Sequence, residues 1–107
     1  MQGTVTDDNG KTYHGRMVYD IDEAYTWEIL NGNKSDVEYV IPFEKVVSEE
    51  PLSEKVTKVS LRGGEILNLE GTQDVTESNS GILIFTNGEK NDPTYVEWSR
   101  VKKIDFE

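Results

Sequence analysis

With a single histidine, no cysteine and 21 acidic side chains against 11 lysines and arginines, carboxylates are the main chemistry open to this 107-residue chain. His14 lacks the setting of a catalytic triad, because a serine nucleophile needs a strained turn and no Gly-x-Ser-x-Gly elbow occurs. It also alternates out of phase with Tyr13 and Met17, which predicts an exposed strand residue. Without cysteine there is no disulfide framework, thiolate zinc site or sulfur nucleophile. Asp20, Asp22 and Glu23 form the sharpest acidic cluster, and hard oxygen ligands at close spacing suit Ca²⁺, which takes about six to eight oxygens. The cluster lacks both the Asp-x-Asp-x-Asp-Gly spacing and a distal bidentate Glu. Its simpler reading is helix capping by Asp20 and Glu23, with Asp22 favouring the positive end of the helix dipole. The polar loop from Asp74 to Ser80 offers Asp74, Glu77 and Asn79, with Thr76 and Ser78. These side chains can wrap a cation or polar ligand, or satisfy the loop's own backbone through Asx and Ser/Thr turns. Asp7-Asp8 precedes a turn and reads as a solvated loop. Gly63, Gly64, Gly71 and Gly81 are too dispersed for a phosphate cradle.

Aromatic residues supply the second kind of site. Tyr25 and Trp27 follow the acidic cluster directly, and an exposed ring there makes an acidic-aromatic patch suited to a basic or proline-rich peptide. The net charge of −10 agrees with that partner. It is uneven: residues 1–54 hold 12 acids and 4 bases, residues 55–107 hold 9 and 7, so the first part is the more negative. A cationic protein or peptide is the expected partner, with salt-sensitive association. Nucleic acid is not expected, since a net charge of −10 repels it and the one local basic strip, Arg100, Lys102 and Lys103, alternates along a terminal strand and reads as a solvated edge. No membrane insertion is expected either, because no run approaches the roughly 18 apolar residues of a span. No signal-peptide-like apolar stretch opens the chain.

The elements that position these groups read as β. Gly3–Asp7 and Lys11–Tyr19 are strands about Asn9-Gly10, a type I′ hairpin signal. The second strand places Tyr13, Gly15, Met17 and Tyr19 on one face. A helix is predicted over about 20–31, with Ile21, Ala24, Tyr25, Trp27 and Leu30 apolar and Asn31-Gly32 as its stop. Helical geometry there would point Tyr25 and Trp27 about 200° apart. Strand resumes over 36–42, then a 3₁₀ turn from Phe43 and a short strand from Val46. Next come strands at 56–61 and 65–69 about Gly63-Gly64, a strand at 82–85 buried on both faces, a turn at Asn87-Gly88, and strands at 94–98 and 101–106.

Ile41-Pro42-Phe43-Glu44-Lys45-Val46 and Val96-Glu97-Trp98-Ser99-Arg100-Val101 share one pattern: aliphatic, any, aromatic, polar, cation, Val. Each lies at nearly the same distance from a preceding glycine turn, Gly10 or Gly64, which implies a duplicated module. Phe43 and Trp98 are then equivalent core plugs, and Phe85 and Phe106 are also expected to be buried. The expected fold is mainly β: two SH3-like (Sm-like) small barrel units packed as a pseudo-dimer, one short helix inserted in the first. The units span 1–53 and 54–107.

Gly3-Thr4-Val5-Thr6 with Asn9 to Tyr13, Tyr19 to Ala24, Ile41-Pro42-Phe43, and Leu69 to Val75 with Ser80-Gly81-Ile82 give the chain its resemblance. It resembles bacterial envelope or lipoprotein-like domains of unknown function with tandem SH3-like or Sm-like β units. That resemblance implies a β architecture and a periplasmic or envelope setting rather than the cytoplasm. It carries no activity and no cofactor. The functional expectation is a non-catalytic binding or structural module for a protein or peptide, acting through Asp20, Asp22, Glu23, Tyr25 and Trp27. The alternatives are a Ca²⁺-stabilised structural domain and a small carboxylate-dependent hydrolase, the latter short of room for a substrate cleft.

Overall fold

The computed structural model describes residues 1–86 and 92–107. Its strands are β1 (Gln2–Asp7), β2 (Thr12–Tyr19), β3 (Ile29–Lys34), β4 (Val37–Pro42), β5 (Val46–Pro51), β6 (Val56–Leu61), β7 (Ile66–Glu70), β8 (Ile82–Thr86), β9 (Thr94–Val96) and β10 (Val101–Phe106). All pair antiparallel in one open sheet, in the order β4-β3-β7-β6-β5-β10-β1-β2-β8-β9. Single 3₁₀ turns at Phe43–Lys45, Gln73–Val75 and Trp98–Arg100 break the run of strands. The mainly β expectation therefore holds. The turn expected at Asn87-Gly88 lies outside the described residues.

The order has a formal property: exchanging β1–β5 with β6–β10 maps it onto itself. The registers follow suit, for Val5 pairs with Tyr13 as Val59 pairs with Leu67. So do the irregularities. The β1–β10 register skips Lys102, and the β5–β6 register skips Val47, at matching places. Such bulges reverse which side chains face inward. At the centre, β5 pairs with β10 through Glu49 and Ile104, which stand at corresponding positions. Residues 1–53 and 54–107 do not form separate sheets, because β2 pairs with β8 and β3 with β7.

The predicted helix over 20–31 does not form. Asp20 and Ile21 adopt positive φ, 54° and 58°, which no α-helix allows. The backbone folds back so that Tyr19 and Glu23 exchange N–H···O bonds. The Glu28 carboxylate then accepts the N–H groups of Ala24 and Tyr25, using capping chemistry to close a turn. Asn31-Gly32, expected to stop a helix, lies inside β3. Gly32 is required there, since a Cβ would stand 2.7 Å from the Leu69 Cβ. Apolar residues that resembled one helical side are thus divided between an exposed turn and a strand whose Leu30 is in the core.

Other local expectations need correction. The β1–β2 connection is not type I′, since only Gly10 of Asn9-Gly10 has positive φ. Asp7 is buried instead of solvated, and its Oδ1 accepts the N–H groups of Asn9 and Lys11. Ile82 and Ile84 are fully buried while Leu83 and Phe85 are half-buried, so β8 is not buried on both faces.

Phe43 and Trp98 each follow an extended residue into a 3₁₀ turn and are buried. Both meet the same ring: Tyr19 lies 4.9 Å from Phe43 and 6.0 Å from Trp98, between centroids. Half-buried Phe106 packs on Tyr19 and Phe43, closing an aromatic cluster at the middle of the sheet. Edge-to-face and tilted contacts of this kind add to the burial of ring area.

Candidate functional site

Asp20 and Asp74, from two separate stretches of sequence, meet in space. Asp20 immediately follows β2 and Asp74 sits in the 3₁₀ turn after β7, with relative exposures of 7% and 6%. Each accepts an N–H from the segment that the other half contributes. The Asp74 carboxylate takes the Asn31 N–H of β3 at 2.9 Å, and Asp20 takes the Ser80 N–H just before β8. Gln73 adds a side-chain donor to Asp20 at 3.1 Å. These carboxylates pin the two crossings where the halves interleave.

Glu23 completes the cluster. One carboxylate oxygen from each of Asp20, Glu23 and Asp74 lies within 4.8 Å of the others. The Glu23 Oε2 is buried without a hydrogen-bond partner. Loss of water and then the charges of Asp74, Asp22 and Asp20 push the Glu23 carboxyl up to about 7. Asp74 is also raised, by burial and by Asp20, against the lowering effect of its Asn31 bond. Asp22 itself is exposed at the edge of the cluster.

The remaining loop candidates divide. Asn79 is buried and braces the loop: its amide donates to the Asp74 carbonyl, and its Oδ1 accepts the Gly81 N–H. Glu77 is exposed and, with its neighbour Glu54, lines an open groove of about 350 Å³. The hydrogen bond and charge of Glu77 raise the Glu54 carboxyl.

Tyr25 and Trp27 occupy the turn from Tyr25 to Glu28, closed by the Glu28 N–H on the Tyr25 carbonyl at 3.1 Å. They do not diverge as helical geometry would require. Their rings are stacked, centroids 4.5 Å apart and planes at 6°, with 55% and 70% of each residue exposed. Ile21 and Ile29, on either side in sequence, are exposed as well. His14 is exposed, as expected, and pairs with the terminal Glu107.

One buried ionisable group escaped sequence reasoning. Glu49 is fully buried in β5, with Oε1 2.8 Å from the Tyr19 hydroxyl and Oε2 unpartnered. The same hydroxyl lies 2.6 Å from the Asp74 carbonyl. A phenol has one proton to give, so a protonated Glu49 lets both contacts be hydrogen bonds. Burial pushes this carboxyl up to about 8. Simple alternation from Val46 turns Glu49 outward; the bulge at Val47 turns it inward. The available signal was the match of Val46 to Glu49 with Val101 to Ile104, which places Glu49 where the other half has an isoleucine.

Comparison with protein-family models, with curated proteins and with solved structures finds no match to this chain.

Proposed function

We propose that the chain is a non-catalytic binding module that captures a cationic protein segment on the Tyr25–Trp27 stack and the carboxylates beside it. The observation that carries this reading is the exposure of two stacked rings on a turn that follows Asp20, Asp22 and Glu23 in sequence, of which Asp22 is exposed. Two large apolar faces left in water suit arginine or lysine, whose cation rests on an aromatic face while an exposed carboxylate such as Asp22 takes its N–H groups. The whole chain's charge of −10 steers such a partner inward. In the same reading the two halves are SH3-like units that exchange their third strands, a view supported by the self-mapping strand order and the paired bulges. The setting is a bacterial envelope protein, in line with the motif resemblance. The test is titration with an arginine-rich peptide, read by tryptophan emission, because Trp98 is buried and Trp27 alone faces solvent. Saturable, salt-sensitive binding lost in Tyr25→Ala by this readout, and in Trp27→Ala by calorimetry since that variant lacks the reporter, with unchanged melting, is expected. Absence of binding at low salt, or binding indifferent to both substitutions, overturns the reading.

A second reading is favoured by the convergence of Asp20, Glu23 and Asp74: a Ca²⁺-stabilised domain, the cation replacing the proton on Glu23 and the water lost by its Oε2. Melting in EDTA and in millimolar Ca²⁺ decides it, since a ligand of the native state raises apparent stability by mass action. Coincident midpoints reject it.

A further inference from the structure

The sheet is open, and its two ends differ. β9 is trimmed to three residues, and the Tyr95 hydroxyl bonds to the Ser80 carbonyl nearby. β4, the corresponding strand at the other end, runs six residues and borders only β3. The Phe43 N–H donates to the Glu28 carbonyl, and the pairing below it is unbroken from Ile29–Pro42 to Lys34–Val37. In an antiparallel ladder the bonds alternate, so Ile41, Tyr39 and Val37 bond inward to β3. Glu38 and Val40 therefore turn their N–H and C=O groups outward. Pro42 has no N–H to waste, which fits a proline at an edge. Val40 and Val37 are exposed at 52% and 56%, and the strand carries no lysine and no bulge. Shortening, bulges and edge cations are the usual protections against pairing; β4 has only Glu38 and its final proline.

We infer that β4 accepts an added antiparallel strand from the cationic partner, so that recognition combines main-chain pairing at Glu38 and Val40 with side-chain capture at Tyr25 and Trp27. This rests on the cationic-partner reading above. Charge selects the occupant. A second copy of the chain would bring another ten net negative charges toward an edge where the exposed Asp36, Glu38 and Glu44 outnumber Lys34 and Lys45, whereas an arginine- or lysine-bearing strand is attracted to that excess. Geometry joins the two parts. Past the ladder, the Glu44 N–H of the 3₁₀ turn bonds to the Thr26 carbonyl at 2.9 Å, so the aromatic turn is strapped to the end of the edge strand. An added strand lies about two spacings, roughly 10 Å, from the backbone of that turn, within reach of a tryptophan and an arginine together. Main-chain bonds then supply affinity, and the stack supplies choice of side chain.

The experiment compares two peptides on the intact chain. One is a ten-residue peptide alternating arginine with threonine. The other has the same sequence N-methylated at every second residue, which keeps charge and side chains and removes one edge of donors. The unmodified peptide is expected to bind at least tenfold tighter and to slow amide exchange at Glu38 and Val40 at least tenfold. Val40→Pro removes an outward N–H without touching the bonds to β3 and should erase the preference. Val40→Lys sets a cation on the edge, should weaken the unmodified peptide more than the methylated one, and serves where the proline variant does not fold. Equal binding of both peptides, still lost in Trp27→Ala, overturns strand addition and leaves the aromatic site standing. Failure of both peptides overturns the site and this inference together. Protection of Glu38 and Val40 that appears with protein concentration alone assigns the edge to a second copy and overturns the cationic occupant.

Discussion

Glu49 makes the stability of this protein depend on pH in the direction opposite to most carboxylates. Its folded carboxyl titrates at about 8 against an ordinary glutamate value of 4.5, so the native state keeps a proton that the unfolded chain releases. A raised carboxyl contributes fully below pH 4.5, and its contribution is lost as pH climbs toward 8. At pH 7 the interval already crossed is 2.5 pH units, which at about 1.4 kcal/mol each is about 3 kcal/mol of lost stability. That is a large share of the roughly 5–15 kcal/mol available to a domain of this size. Glu23, raised to about 7 and partly solvated, adds to the fall in the same direction and by less. Asp7 opposes only in acid: burial raises it, but hydrogen bonds from Lys11, Tyr13 and Asn9 and the nearby Arg100 outweigh that and hold it low. Glu49→Gln removes the titration while retaining an acceptor for the Tyr19 hydroxyl and an N–H in place of the acid proton. Urea unfolding followed by circular dichroism at pH 5 and pH 8 measures the effect. The natural chain should lose about 3 kcal/mol or more between them. The variant should match it at pH 5 and exceed it at pH 8, a gain of roughly 10–20 °C in melting temperature. Parallel curves for the two proteins, or a natural chain equally stable at both pH values, would refute a protonated Glu49.

Tyr19→Phe strands Glu49 in the core with no partner and should cost about 1–3 kcal/mol, most visibly above pH 7, in the same unfolding assay. Glu23→Gln should raise the melting temperature at pH 8 and leave it unchanged at pH 5, by a smaller amount than Glu49→Gln; a loss at both pH values would deny the carboxylate repulsion. Gly32→Ala drives a Cβ to 2.7 Å from the Leu69 Cβ and should destabilise by about 1–3 kcal/mol through overpacking, measured as a shift in urea midpoint at constant slope. Trp27→Ala, by contrast, should stay within about 0.5 kcal/mol of the natural chain, because most of the ring is already in water.

The parts of the structure legible in the sequence are those written in short-range chemistry. Alternation located nearly every strand, and the shared pattern around Phe43 and Trp98 marked two 3₁₀ turns with buried plugs. The helix over 20–31 was misread because Ile21, Ala24, Tyr25 and Leu30 satisfy helical spacing. What defeats it lies elsewhere in the chain: Met1 bonds to the Ala24 carbonyl, and Leu69 claims the space beside Gly32. The acidic cluster was half visible. Asp20 and Glu23 were singled out together and Asp74 separately, but nothing local announces that a crossing of strands joins them. Helical spacing set the Tyr25 and Trp27 rings about 200° apart, and a turn in place of a helix brings them face to face instead. Glu49 was hidden by one extra residue, since a bulge reverses inside and outside and leaves no mark on composition.

The interleaving of β2 with β8 and of β3 with β7 also dictates an order of events. The first portion can form its β1–β2 and β3–β4 hairpins alone, but β2, β1 and β5 keep an unpaired side until Ile82–Thr86 and Val101–Phe106 arrive. Closing contacts over such long separations makes for slow folding and a lingering exposed strand. During that wait, a heavy load of like charge is a safeguard: it keeps half-made copies from lending one another the strands they lack.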